Sequence, residues 1–132
     1  RFAFEGFLPQ KKGRQTKLEA LRNELRTMIF YESPRRLVKT LAQMAEVFGG
    51  GRPACVCREI SKIHEDCQRG TLESLAGHFT EQEPRGEIVL IVGGADPEAV
   101  AAEKNAVEES SEDMPRKKSK YQLKMERLKI ED

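Results

Sequence analysis

Residues 27–51 read TMIFYESPRRLVKTLAQMAEVFGGG, and the fold turns on how that stretch divides. Thr27 to Ser33 is a short apolar run of strand formers, stopped at Ser33-Pro34 because proline cannot donate to a ladder. Pro34 then suits the first turn of a helix, where its missing N–H would have had no partner anyway. Leu37, Val38, Leu41, Met44, Ala45 and Phe48 recur on one side of that helix, and Gly49, Gly50 and Gly51 end it. A strand running directly into an amphipathic helix is the repeating unit of an α/β layer structure.

The same alternation extends outward in both directions. Toward the amino terminus, Arg1 to Phe4 alternate polar and apolar as in a half-buried strand that ends near Gly6. A loop through Gly13 leads into RQTKLEALRNELR, a helix with Leu18, Leu21 and Leu25 on one face. No initiator methionine, capping turn or targeting segment stands ahead of Arg1, so a longer chain is expected to precede it. Toward the carboxyl terminus, PACVCREI reads as a strand, and HEDCQRG as either another strand or the end of a loop. Thr71 is expected to cap a short helix carrying Leu72, Leu75 and Phe79, because its hydroxyl can accept from an exposed backbone N–H. After the breaker-rich EQEPRG, EIVLIVGG has the composition of a strand buried on both faces.

The α/β pattern fades after Gly94, which places one domain at 1–94. Residues 95–115 are expected to form an acidic flexible linker and 116–132 a basic tail with a possible short helix. The net charge of +1 conceals this segregation: Asp96 to Asp113 carries seven acids against Lys104, and Arg116 to Lys129 carries seven bases against Glu126. The tail reads either as a partly ordered charged extension or as a contact for RNA phosphates, since Lys and Arg at that density release counterions on binding. A charged fraction of 34% agrees with a small core plus a polar extension. No run approaches the roughly 20 apolar residues of a membrane helix, so no membrane is expected as partner.

Three cysteines, Cys55, Cys57 and Cys67, are an odd number. Strand neighbours pointing to opposite faces are expected to keep Cys55 and Cys57 from bridging, which reads as reduced thiols in a cytoplasmic protein. C-x-C-x6-H-x2-C, with His64, is not a usual zinc spacing, and no metal is expected. Tyr31, Glu32 and Ser33 stand at the carboxyl end of a strand, where open α/β sheets place ligands; a simple strand end starting a helix explains them equally well. Arg58, Glu59, Ser61, Lys62, His64, Glu65 and Arg69 crowd one segment, as a binding loop or as a solvated loop of mutually neutralising charges. His64 beside Glu65 has the chemistry of a general base, but adjacent residues on a strand point apart. VGGADP lacks the Lys and Ser/Thr of a phosphate loop, and Gly93 and Gly94 read as a sheet end beside a cleft.

Four ordered segments carry a resemblance: FEGFLPQKKGRQ, LRTMIFYESPRRLVKTL, CREISKIHEDCQRGTL and PRGEIVLIVGG. Together, over about Phe2 to Gly93, they resemble the carboxyl-terminal half of the ribosomal RNA small subunit methyltransferase I family, within the tetrapyrrole methylase superfamily. The resemblance implies the second domain of a two-domain fold, a mixed sheet flanked by helices, with S-adenosylmethionine as cofactor. It implies methylation of a cytidine ribose 2'-hydroxyl in small-subunit ribosomal RNA, so that RNA or the small ribosomal subunit is the expected partner. The domain alone would lack half of the donor site and be inactive. A homodimer in the cytoplasm is the expected state of the whole protein.

On the same basis Tyr31, Glu32, Ser33, Arg85, Gly86 and Glu87 are the expected donor-side residues, and Gly70-Thr71 a fold-supporting pair. Glu32 departs from the superfamily's usual Met at its position. Lys11, Lys12, Arg14, Arg58, Lys62 and His64 are the expected RNA-side residues, because cationic side chains neutralise phosphate and a flipped nucleotide is gripped by its backbone. Glu59 or Glu65 could take the hydroxyl proton, although a hydroxyl so weakly acidic makes positioning against the methyl carbon the larger effect. The competing readings are a methylase of a small, tetrapyrrole-type acceptor and a non-catalytic RNA-binding module of the same fold.

Overall fold

The computed structural model describes residues 1–113, and these form two units, residues 1–97 and the segment beginning at Glu98. In the first, five strands and three helices alternate: β1 (Phe2–Phe7), α1 (Arg14–Leu21), β2 (Thr27–Glu32), α2 (Leu37–Phe48), β3 (Pro53–Arg58), β4 (Asp66–Thr71), α3 (Leu72–Glu81) and β5 (Ile88–Val92). The strands lie in the order β1-β2-β5-β3-β4, with β1 parallel to β2 and every other neighbour antiparallel. The α/β mixed sheet expected from the sequence is therefore present, and HEDCQRG divides: His64 and Glu65 end a turn, and the strand β4 begins at Asp66.

One face of the sheet makes the core. Met28, Phe30, Val56, Leu90 and Val92 project from it onto Leu18 of α1, Leu37, Leu41 and Met44 of α2, and Leu72 and Leu75 of α3, all essentially without exposure. The other face carries Ile29, Tyr31, Cys55, Val89 and Ile91, which are half-buried or exposed. Composition alone had suggested that β5 is buried on both faces. Instead its burial alternates, because all three helices of this unit gather on one side.

Local chemistry sets the ends of the elements. Thr71 caps α3 reciprocally with Ser74: the Thr71 hydroxyl accepts from Ser74 N–H at 3.1 Å and Ser74 Oγ accepts from Thr71 N–H at 2.9 Å. A Cβ on Gly70 would fall 2.5 Å from Ser74 Oγ, which explains the Gly-Thr pair. α1 ends at Leu21, earlier than the leucine spacing suggested, so Leu25 leaves the core face and is 54% exposed.

The stretch expected to be a flexible linker is helical from Pro97 to Asp113 (α4). Ala and Glu, its main residues, are strong helix formers, and Pro97 and Glu98 suit a first turn. The basic tail at 116–132 lies outside the described residues. Leu18→Ala is expected to cost about 2–5 kcal/mol in urea unfolding, as a cavity-forming change does, whereas Leu25→Ala stays within about 0.5 kcal/mol.

Candidate functional site

β1, β2 and β3 all run toward the same edge of the sheet, and β5 starts there. Four connections meet at that edge: residues 8–13, 33–36, 59–65 and 84–87. Two clefts open among them. The first, about 470 Å³, is lined by Phe7, Tyr31, Glu32, Ser33, Pro34 and residues 86–89. The second, about 690 Å³, is lined by Arg58, Glu59, Ser61, Lys62, Ile63, His64, Arg85 and Gly86. Gly86 belongs to both.

The first cleft gathers five of the six expected donor-side residues, while Arg85 lines the second. Phe7, absent from the sequence-based set, is the addition. Strict alternation would turn Phe7 away from Phe4, but an irregularity between Phe4 and Gly6, with Gly6 at φ 64°, shifts the register and pairs Phe7 with Tyr31. Tyr31 then has Phe4 at 5.3 Å and Phe7 at 5.5 Å between ring centroids. Phe7 and Tyr31 remain 68% and 42% exposed, so the cleft has an aromatic wall open to a ligand.

Glu32 lies beneath that wall rather than in it. It is buried, and its carboxylate accepts from Ser33 N–H at 2.8 Å and from Thr40 Oγ1 at 2.7 Å. Thr40 in turn accepts from Arg14 Nη2 at 2.7 Å, and Arg14 also donates to Gln43 Oε1 at 2.7 Å and to the Pro9 carbonyl at 3.1 Å. Arg14, expected on the RNA side, is 8% exposed and spends its guanidinium inside the domain. Thr40 and Gln43 gave no sign of this role in the sequence, since both sit inside an ordinary amphipathic helix. Lys11 and Lys12 are exposed in the loop that leaves β1 at the same edge but line neither cleft.

The second cleft is built by the turn from Glu59 to Glu65, whose Glu59 and Ser61 hold positive φ of 52° and 67°. Such geometry is unfavourable for residues with a side chain and persists only where neighbours enforce it. Here Glu59 N–H donates to the Glu87 carbonyl at 3.0 Å, Glu87 N–H donates back to Glu59 Oε1 at 3.1 Å, and Lys62 Nζ stands 2.7 Å from Glu59 Oε2. A Cβ on Gly86, at φ 86°, would overlap the Glu59 carboxylate, so the strand start needs glycine. Lys62 and the Glu87 amide hold the Glu59 carboxyl below its usual range, and Glu59 holds Lys62 above its own. A carboxylate so engaged is a weak base, and its observed role is to fix the turn. Glu65 follows on the same turn and lines neither cleft.

Cationic groups dominate what is left free. Among the described residues Arg58 Nε is buried without a hydrogen-bond partner, and the Asp66 carboxylate stands 3.8 Å from it. His64 and Arg85 share the cleft with it, and Ile63 at the turn's tip is 96% exposed. Gly93 and Gly94 lie elsewhere, at the opposite edge, where a Cβ on Gly94 would overlap the Leu25 carbonyl. Their glycine requirement concerns backbone packing rather than a cleft.

No family model matches the chain. It is similar to proteins named ribosomal RNA small subunit methyltransferase I: 49% identical over 100 residues to that of Mesorhizobium japonicum, covering 74% of this chain and 34% of the relative. For the Synechocystis protein the identity is 46% over 99 residues, covering 74% and 36%. For the Bacillus subtilis protein it is 45% over 103 residues, covering 77% and 35%. The chain thus spans about a third of the length of the curated relatives it matches. Among solved structures, a cobalt precorrin-4 methyltransferase matches with a TM-score of 0.56 at 14% identity, over 70% of this chain and 40% of that one. A uroporphyrin-III C-methyltransferase of Thermus thermophilus, complexed with S-adenosyl homocysteine, matches with a TM-score of 0.54 at 18% identity, over 70% and 41%. Those two likenesses concern the fold.

Thr40→Val takes one buried hydrogen bond from each of Arg14 and Glu32 and is expected to cost about 2–4 kcal/mol in urea unfolding. The Glu59 turn has a pH signature. Its folded pKa lies below the unfolded value near 4.5, so its contribution is complete above that value and is lost as pH falls through the folded pKa. Protection of the Glu87 amide from hydrogen exchange is expected to fall over that acid range, and Glu59→Gln to remove the dependence.

Proposed function

The chain belongs, over the hundred or so residues shared with those relatives, to the ribosomal RNA small subunit methyltransferase I family, and on that premise we propose that its two clefts serve one reaction, methyl transfer from S-adenosylmethionine to small-subunit ribosomal RNA. The acceptor in this reading is a cytidine ribose 2'-hydroxyl, and the activity is that of the whole protein. The observation that carries the proposal is the juxtaposition at Gly86 of an aromatic cleft with a cationic one.

The aromatic cleft fits the donor. Phe7, Tyr31 and Val89 offer an apolar wall to a purine, residues 86–88 line the cleft, and the Glu87 carboxylate, 84% exposed and 3.5 Å from Lys62 Nζ, suits a cation. A fold neighbour complexed with S-adenosyl homocysteine supports the same choice. When bound, the donor supplies a methyl group on a positively charged sulfur, ready for displacement by an oxygen nucleophile.

The chain's own residues then bind and orient. Ser33, fixed by Glu32, and Tyr31 set one side of the donor cleft. Arg58, Arg85 and His64 hold RNA phosphates near it, with Lys11 and Lys12 extending the positive surface along the edge. Glu59 and Lys62 act as positioning residues, because their charges already satisfy each other and the turn depends on them. Alignment of the hydroxyl with the methyl carbon is the main contribution in this reading, and no base is assigned. The homodimer and cytoplasmic location implied by the resemblance belong to the same proposal. Phe2 and Phe4, exposed on the sheet face opposite α1 to α3, would suit a contact between copies.

The test is methylation of unmodified small ribosomal subunits by the whole protein with labelled S-adenosylmethionine, the product being located by nuclease digestion and mass spectrometry. Label on a cytidine ribose is the expected result. Donor binding without transfer to subunits or naked RNA would point to a small acceptor, and no donor binding to a non-catalytic module. Tyr31→Ala is expected to weaken donor binding by roughly tenfold, the worth of one stacked ring. Arg58→Ala is expected to lower the slope of log affinity for RNA against log salt by about 0.7–0.9, one phosphate contact.

A further inference from the structure

The face of the sheet opposite α1, α2 and α3 carries a feature that neither cleft uses. Cys55 and Cys57 are two apart on β3 and therefore share a face, contrary to the expectation of opposed side chains, and Cys67 on β4 lies directly opposite Cys57 in the antiparallel register. The Cys55 and Cys57 sulfurs are 3.6 Å apart, those of Cys57 and Cys67 3.3 Å, and all three lie within 4.8 Å of one another. His64, which the spacing had offered as a fourth ligand, belongs instead to the cationic cleft and is not in this group.

Three sulfurs so placed match the corners of a single coordination sphere. Thiolates bound to zinc at about 2.3 Å and near the tetrahedral angle stand about 3.8 Å apart, so shifts of at most about 1 Å would complete the geometry. An iron–sulfur cluster needs its cysteines ringed around a wider core, and these sulfurs are too close together for one. Harder cations such as Mg²⁺ or Ca²⁺ prefer oxygen ligands, and none joins the group among the described residues. Cys57 is buried, Cys55 half-buried and Cys67 exposed, which gives an entry path and leaves a fourth position toward solvent. Arg69, paired with Cys55 across β3 and β4, lies on the same face as Cys67 and complements the net negative charge of three thiolates around a divalent ion.

We propose that Cys55, Cys57 and Cys67 form a three-thiolate site for one thiophilic divalent cation of the zinc type, which clamps the edge strand β4 to β3. Binding exchanges each coordinating thiol's proton for a metal–sulfur bond, releasing those protons to solvent, and the fourth position is taken by water. Among the described residues β4 has no strand beyond it, and its chain continues directly into the Glu59–Glu65 turn on one side and α3 on the other. The clamp therefore ties the strands that frame the cationic cleft without occupying it.

The test uses the whole protein, reduced and stripped with a chelator, titrated with Zn²⁺ against a chromophoric competitor. Bound metal is counted by elemental analysis, and free thiols by alkylation and mass spectrometry. The expected result is one zinc per chain, protection of all three cysteines from alkylation and a raised melting temperature. Cys67→Ser is expected to weaken binding by at least roughly tenfold, the loss that even an outer partner of a metal site causes, and Cys67→His to recover it. Cys67 is exposed, so circular dichroism of the Ser variant should be unchanged. Zinc retained equally by Cys67→Ser would overturn the proposal, as would no zinc held against a weak competitor. A Cys57–Cys67 disulfide in the protein as isolated, with no metal present, would overturn it as well.

Discussion

The buried chain of bonds from Arg14 through Thr40 to Glu32 is the constraint from which the site's geometry follows. It joins four pieces of backbone that are distant in sequence: the Pro9 loop, the start of α1, the middle of α2 and the end of β2. Each charged group is desolvated, so each needs the other's polarity through Thr40, and Gln43 and the Pro9 carbonyl satisfy the rest of the guanidinium. Because Glu32 also accepts from the Ser33 amide, the turn that leaves β2 has one conformation. Tyr31 and Ser33 are therefore presented to the cleft by a polar network hidden below it.

A second network does the same for the neighbouring cleft with exposed groups. Glu59, the Glu87 amide and Lys62 hold a turn with two residues at positive φ, and Gly86 is the space that this arrangement requires. The two networks differ in character. The first is buried and insensitive to salt, while the second sits in solvent, where screening weakens ion pairs. One edge of the sheet thus has one half held by buried bonds and one half held by exposed ones.

The elements were legible because periodicity and breakers agree with tertiary packing in most of the domain: TMIFYE, the α2 stripe and the Thr71 cap each state locally what the fold uses. Strand order was not, since nothing in EIVLIVGG says that it inserts between β2 and β3. Five of the six residues expected on the donor side share one cleft, and they sit at strand ends in recognisable segments. Phe7 was hidden by a register shift, and Arg14 was assigned to RNA because a charged residue near two lysines reads as surface. Burial of a charge by Thr40 and Gln43, 26 and 29 residues away, is a three-dimensional fact that no local pattern carries.

The position of β5 has a bearing on how the domain is made. β1 with β2, and β3 with β4, form two ribbons that do not bond to each other; only β5, the last strand of the sheet, pairs with both. As the chain leaves the ribosome, neither ribbon can complete the hydrophobic face until residues near 92 have emerged. The core leucines of α2 and α3 wait half-covered during that interval. Folding is accordingly a late event governed by long-range pairing, and slow release or truncation before β5 leaves an aggregation-prone intermediate rather than a smaller version of the domain.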